Sequence, residues 1–459
     1  MTSDLHAQLH DLAADAPVPV PPDAGALWRA GRRRQSRRAA AGALAATAVV
    51  LAGIGGAGTV LPHDGGRDVP PATTSGVGAL PDRLYVPGRW TESNDDDPVG
   101  PMAALLSTNL GWHDATGYVG VSAATGEYRA IRLPGSALAP GSGTRPGVAE
   151  ALSPSGRYVA YWLTGVPAGR AVDNQLGKPV VGVAVYDTVT TRVGRSVLQT
   201  EHGVVPESLL WSDDDTLYFQ VSQIDKGHPG GYAAHLDGQG RTVTIGEDQR
   251  LVPGRVRIPG LERYATAIAS DHRGRLLFDP AGVGRSTTMA IARPVGAPHL
   301  VERRRPSSLL LDVGGALAAD GSIAALTRTP DERQPSTVSI AAPGRAAREV
   351  PGAEALRFWA LTDRGAVVDL TRSDRTGDYL PTELARVAPS GAVTTLTDYP
   401  RWDGRIQVEG FAADLMDLPS VHRDAPATPR DPRVLPAVAG AALALLGVAL
   451  LLRRRRVRD

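Results

Sequence analysis

Cysteine is missing from all 459 residues, which excludes disulfide staples and thiolate metal sites. An exported domain of this kind is held by packing and hydrogen-bonded ladders alone. Lysine is nearly missing as well: Lys178 and Lys226 stand against 47 arginines, which with abundant alanine points to a GC-rich bacterial genome. Several enzyme signatures are also lacking. The chain has no Gly-x-Ser-x-Gly elbow, no His-Glu-x-x-His motif and no P-loop. Its ten histidines, including His113, His202, His228, His235, His272 and His299, are scattered singly, as surface and turn residues are. No cofactor or metal is expected from this pattern.

What the chain does have is a repeated cassette. Its clearest copy is Leu152-Ser-Pro-Ser-Gly-Arg-Tyr-Val-Ala-Tyr-Trp162, a turn at Ser153 to Gly156 followed by a strand rich in β-branched and aromatic residues. Looser copies run from Leu209 to Phe219, Ile268 to Phe278, Leu317 to Ala325 and Trp359 to Val368. Taking Gly156, Asp215, Gly274, Gly321 and Gly365 as register marks gives spacings of 59, 59, 47 and 44 residues. A strand-only period of roughly 40 to 50 residues predicts an all-β fold, a β-propeller. Its length and its 42% hydrophobic content suffice for one large domain or two ordinary ones.

The Ser153-Pro154-Ser155-Gly156 turn with its following strand resembles the WD-like repeat of TolB-type β-propellers. The strand Val180 to Asp187, ending in Tyr-Asp, also resembles WD-type blades, where the equivalent dipeptide closes a turn. The resemblance covers roughly Pro101 to Asp398 and implies a fold without implying an activity. Full blades are expected at about 150–199, 207–246, 265–302, 313–350 and 355–398. A first blade supplies only three strands, Met102 to Ser107, Tyr118 to Ala123 and Tyr128 to Leu133, so Arg405 to Ala412 is expected to close the ring. That makes six blades, or seven if Arg83 to Val86 belongs to another. Trp162, Trp211 and Trp359 are expected to pack between neighbouring blades. The acidic stretch Asn94 to Asp97 lacks the alternation of a calcium loop and reads as a solvated loop.

Outside this domain (83–415) the chain reads as a sandwich of tethers and apolar runs. Residues 1–38 form a basic segment, with six Arg against four Asp, that includes Arg32, Arg33, Arg34, Arg37 and Arg38. A 23-residue uncharged run at 39–61 is long enough to span a bilayer, a cleaved signal peptide being the competitor. Polar linkers are expected at 62–82 and 416–433, and a second span at 434–452 ends in Arg453, Arg454, Arg455 and Arg456, within a 453–459 tail. Arginines on both flanks predict cytoplasmic termini and an extracellular propeller. The apolar tail with terminal arginines resembles a sortase signal but lacks the Thr before Gly440 at which cleavage occurs. The layout looks like the membrane-anchored propeller proteins of actinobacteria.

Function is expected in one of three classes. The first is a non-catalytic scaffold that binds an extracellular protein, peptide or glycan. The second is a transmembrane sensor whose segment 1–38 engages a cytoplasmic partner such as a sigma factor. The third is a propeller hydrolase, a glycosidase or lactonase. Between the basic ends the chain carries 38 basic against 43 acidic residues, which argues against nucleic acid as a ligand.

Overall fold

The computed structural model describes residues 78–427, apart from 112–114, 138–149, 173–177, 229–230, 280–288, 305–314, 328–335, 374–378 and 401–405, together with scattered residues from 431 to 447. All described strands pair antiparallel, and parallel pairing is confined to isolated bridges. β1 (Met102–Leu110), β2 (Ala115–Ser122) and β3 (Tyr128–Ile131) form the first meander. β4 (Glu150–Leu152), β5 (Tyr158–Thr164), β6 (Val180–Asp187) and β7 (Val193–Val197) form the second, with the clearest cassette as its first two strands.

The next group departs from the simple four-strand expectation. β8 (Val204–Trp211) pairs with a 13-residue β9 (Thr216–His228), whose two ends take different partners, β10 (Gly231–Leu236) and β11 (Arg241–Ile245). The interruption is the turn at Asp237 to Gly240, so β10 and β11 act as one broken third strand. β12 (Leu251–Arg255) then adds the outer edge beyond the expected end at 246.

β13 (Thr266–Ser270), β14 (Leu276–Asp279), β15 (Met289–Arg293) and β16 (His299–Arg304) follow as a regular meander. β17 (Gly315–Leu317), β18 (Ile323–Thr327) and β19 (Ser336–Ala341) come next. The 15-residue β20 (Arg348–Thr362) serves two groups: its first part pairs with β19 and its second with β21 (Gly365–Ser373). The break expected at 351–354 is thus bridged by continuous strand. β22 (Tyr379–Val387) and β23 (Val393–Asp398) complete that group. Finally β24 (Ile406–Phe411) returns to pair with β1, giving the order β24-β1-β2-β3, so the chain's end supplies the strand that the first meander lacked.

The inner strands are apolar on both faces because both are covered, whereas outer strands such as β7 and β12 are largely exposed. Tyr158, Ala160 and Trp162 of β5 enter one core with Leu209, Leu217 and Phe219, while Val159, Tyr161 and Leu163 enter another with Leu105 and Val119. This is the two-residue period of a strand read against two neighbours. β14 repeats it, with Leu276 and Phe278 beside Tyr218, and Leu277 beside Ile323. Ala324 and Leu326 of β18 share a core with Phe358 and Val368, and Val367 and Leu384 share one with Leu106 and Phe411. Each large buried side chain contributes roughly 1.5–3 kcal/mol, so cohesion resides in the layers between sheets. This succession of antiparallel sheets fits a propeller.

Arg83 to Val86 does not form a strand; Arg83 makes an isolated parallel bridge with Asp398. The run 39–61 and both arginine clusters, Arg32 to Arg38 and Arg453 to Arg456, lie outside the described residues. Within the second run, Val434, Val438, Gly440 to Leu445 and Gly447 are helical, and Val434, Val438, Leu443 and Leu445 are exposed. Among the described residues no helix is long and apolar enough to cross a membrane.

Candidate functional site

The cassette residues are used up in joining sheets. In the first turn the Tyr158 amide donates to Ser153 Oγ at 3.0 Å, and the Gly156 amide to Ser153 O at 2.8 Å. The Ser155 amide then donates to Asp214 Oδ1 of the next cassette at 2.8 Å. From that second turn, Ser212 O accepts from the Gly274 amide of the third at 2.8 Å, and Arg275 donates to Ala318 O of the fourth at 3.0 Å. Gly156, Gly274, Gly321 and Gly365 all have positive φ, whereas Asp215, at the equivalent position, does not. The Asp215 amide donates to Asp213 Oδ1 at 3.1 Å, so the Asp213 carboxylate shapes the turn.

Other singled-out residues are also structural. Trp162 meets Phe219 edge-on at 6.1 Å, Trp211 stacks on Tyr158 at 6.0 Å and donates from Nε1 to Ala151 O at 2.9 Å, and Trp359 meets Phe411 at 5.3 Å. Trp162 and Trp211 pack between the β4–β7 and β8–β12 strand groups of one sheet, and Trp359 packs between two sheets. Asp187 closes its turn by accepting from the amides of Val189 (2.8 Å) and Thr190 (3.2 Å), and pairs with Arg157 at 3.2 Å. The loop at Asn94 to Asp97 is only in part solvated: Asp95, Asp96 and Asp97 are exposed, but Asn94 is fully buried and donates to Tyr186 Oη at 3.0 Å and Thr188 O at 2.9 Å. Among the described residues no three His, Asp or Glu side chains are grouped to hold a metal.

One constellation stands apart from this scaffolding. Glu150 opens β4 and is buried, and the Tyr118 hydroxyl of β2 donates to its Oε1. Glu409 approaches from β24, at a bulge where Leu105 and Leu106 of β1 face Gly410 and Val408. A bulge re-aims the side chain it carries. Burial pushes the Glu150 carboxyl up to about 8; the Tyr118 hydrogen bond opposes that shift and the charge of Glu409 adds to it. Tyr118 is itself pushed up by burial and by both carboxylates. Glu150 therefore keeps its proton at neutral pH, as a general acid must. No local pattern marks these residues, since ring closure brings together positions 118, 150 and 409.

This arrangement has a consequence for stability. Glu150 binds its proton more tightly in the folded protein (about 8) than at its ordinary value of 4.5. Its contribution is therefore most favourable below about pH 4.5, declines as pH rises to 8 and is level above. Glu150→Gln is expected to flatten that decline, a difference on the order of a few kcal/mol. Denaturant titrations of both proteins at pH 5 and pH 8 measure it.

No family model matches the chain, and no curated protein does. Among solved structures, a protein from Bacteroides fragilis assigned as a 6-phosphogluconolactonase is 12% identical with a TM-score of 0.30, the match covering 67% of this chain and 96% of the other. The acylaminoacyl peptidase of Pyrococcus horikoshii is 10% identical with a TM-score of 0.33, covering 69% and 54%. A prolyl endopeptidase is 14% identical with a TM-score of 0.32, covering 69% and 51%. The chain thus spans about half the length of the two peptidases it resembles.

Proposed function

We propose that this domain is a six-bladed propeller hydrolase whose proton donor is Glu150. The strands form four hydrogen-bonded sheets of four, nine, four and seven strands. The blade count is supported by dividing the nine-stranded sheet at the single β6–β8 pair and the seven-stranded one within β20, by the cores that successive groups share, and by the pairing of β24 with β1. The seventh-blade alternative loses support because Arg83 pairs with the end of β23. The observation that carries the activity is the buried Glu150, whose carboxyl is pushed up by burial and by the charge of Glu409. Two carboxyls held in unlike environments divide acid and base roles between them. In the proposed reaction water adds across a glycosidic or lactone C–O bond. The Glu150 proton passes to the departing oxygen, and Glu409 takes a proton from the attacking water.

The test is a panel of aryl glycosides and lactones on the full-length protein. Glu150→Gln is expected to lower kcat by about 10²–10⁴-fold, with an alkaline limb near pH 8 in the wild-type profile. A panel without turnover sinks the hydrolase reading. The second reading is then the binding scaffold, favoured by the commitment of every cassette to holding sheets together. On that reading an extracellular protein, peptide or glycan binds with equal affinity to wild type and Glu150→Gln.

Placement between two membrane spans, with both termini cytoplasmic, is part of this proposal, as is its membership of the TolB-like, actinobacterial kind. It is supported by the arginines flanking 39–61 and 434–452. A sensor role for segment 1–38 is the remaining alternative, and deletion of 1–23 that leaves capture of cytoplasmic partners unchanged removes it.

A further inference from the structure

We infer that the incoming chain (79–85) and the outgoing chain (415–423) form a clasp. It joins the first and last sheets and holds the two segments by each other. The Leu84 amide donates to Asp398 O and the Asp398 amide to Asp82 O, both at 2.8 Å, so the incoming chain lies along the end of β23. Thr397 Oγ1 adds a bond to Pro81 O at 2.8 Å. On the opposite edge of the incoming chain, the Asp82 amide donates to Val421 O and the Val421 amide to Leu80 O, both at 2.9 Å. The isolated bridge of the outgoing chain is to Pro81 of this same segment.

Side chains extend the clasp to the first sheet. Arg423 Nη2 donates to Ala124 O at 2.7 Å in the β2–β3 turn, and the Ala79 amide donates to Ala123 O at 3.1 Å. The Tyr85 amide donates to Tyr128 Oη at 2.8 Å, while the Tyr85 hydroxyl donates to Arg423 O at 3.2 Å. His422 Nδ1 lies 3.0 Å from Asp82 Oδ2. Beneath these bonds, Leu80 and Leu84 share a core with Leu396 and Tyr399 on one side and with Ala123, Tyr128 and Met416 on the other. Lifting the incoming chain therefore uncovers the seam between first and last sheets.

The clasp is a second closure, separate from β24. Displacing the outgoing chain acts on the incoming chain through the two backbone bonds at Val421, and from there on β23 through the two at Asp398. The device is conformational: either end opens both.

Hydrogen exchange on the full-length protein tests this. Val421→Pro removes the donor to Leu80 O and alters no residue of the incoming chain. The amides of Asp82, Leu84 and Asp398 are nonetheless expected to exchange about tenfold faster or more, while those of Thr242 and Val243 in β11 keep their rates. Arg423→Ala, which leaves the backbone pairing intact and removes the anchor on Ala124, is expected to act in the same direction by about threefold. Faster exchange confined to 421–423, with Leu84 and Asp398 unchanged in both variants, overturns the clasp.

Discussion

Replacing Gly156 by alanine is expected to cost the domain about 3 kcal/mol or more, read as a large fall in the denaturant midpoint. Two effects add. At φ +79° the backbone is left-handed, which costs an L-residue about 1–2 kcal/mol. A Cβ built there would also lie 1.9 Å from Met102 O. The neighbour has no room to withdraw, because the Met102 amide donates to Gly156 O at 2.8 Å and Met102 is fully buried at the start of β1. The turn must move instead, which pulls the Ser155 amide off Asp214 and loosens the link to the β8–β9 turn. Gly274→Ala is the control: it too is left-handed, at φ +90°, but its added Cβ meets nothing nearer than Arg293 Nη1 at 3.6 Å. Only the backbone term, about 1–2 kcal/mol, is expected there.

Asp369→Ala is expected to destabilise by about 3–5 kcal/mol and to strip protection from β24. Asp369 is buried, and its Oδ1 accepts from Trp359 Nε1 and from the Tyr399 hydroxyl, both at 2.6 Å. Burial pushes its pKa up, against the pull of Arg357 and of these two donors. Truncation removes the acceptor shared by the Trp359 indole and the Tyr399 hydroxyl, and takes away the carboxyl that faces Arg357. The effect reaches the closure strand because Arg357 Nη1 donates to Val408 O at 2.8 Å, and Phe411 lies between Trp359 (5.3 Å) and Tyr399 (6.3 Å). Asp369→Asn keeps the Oδ1 acceptor for both donors, so its cost should be clearly smaller. Equal losses in the two variants, measured by denaturation, would mean that the hydrogen bonds do not matter here.

How far the sequence discloses this architecture depends on how local each signal is. The Ser153 to Trp162 cassette specifies its own turn and strand, and the return of Arg405 to Ala412 follows from a first meander one strand short. The broken third strand at Asp237 to Gly240 was not legible, because Gly238 and Gly240 read as an ordinary turn between strands. Nor was the continuity of β20 through Pro351 and Gly352, where the sequence suggests an end. Asn94 looked solvated among three acids, yet it is buried by Tyr186, more than 90 residues later. Glu150, Tyr118 and Glu409 were illegible for the same reason. Their chemistry arises from burial and from closure across the whole domain, which no short motif records.

Infrared difference titration of the full-length protein, with Glu150→Gln as the reference, tests the proposed acid most directly. The expected result is a protonated carboxyl band that persists at pH 7, disappears with a midpoint near 8 and is missing from the variant. A band already lost below pH 6 would show Glu150 ionised under working conditions, and the proton donor of the proposed hydrolysis would be gone.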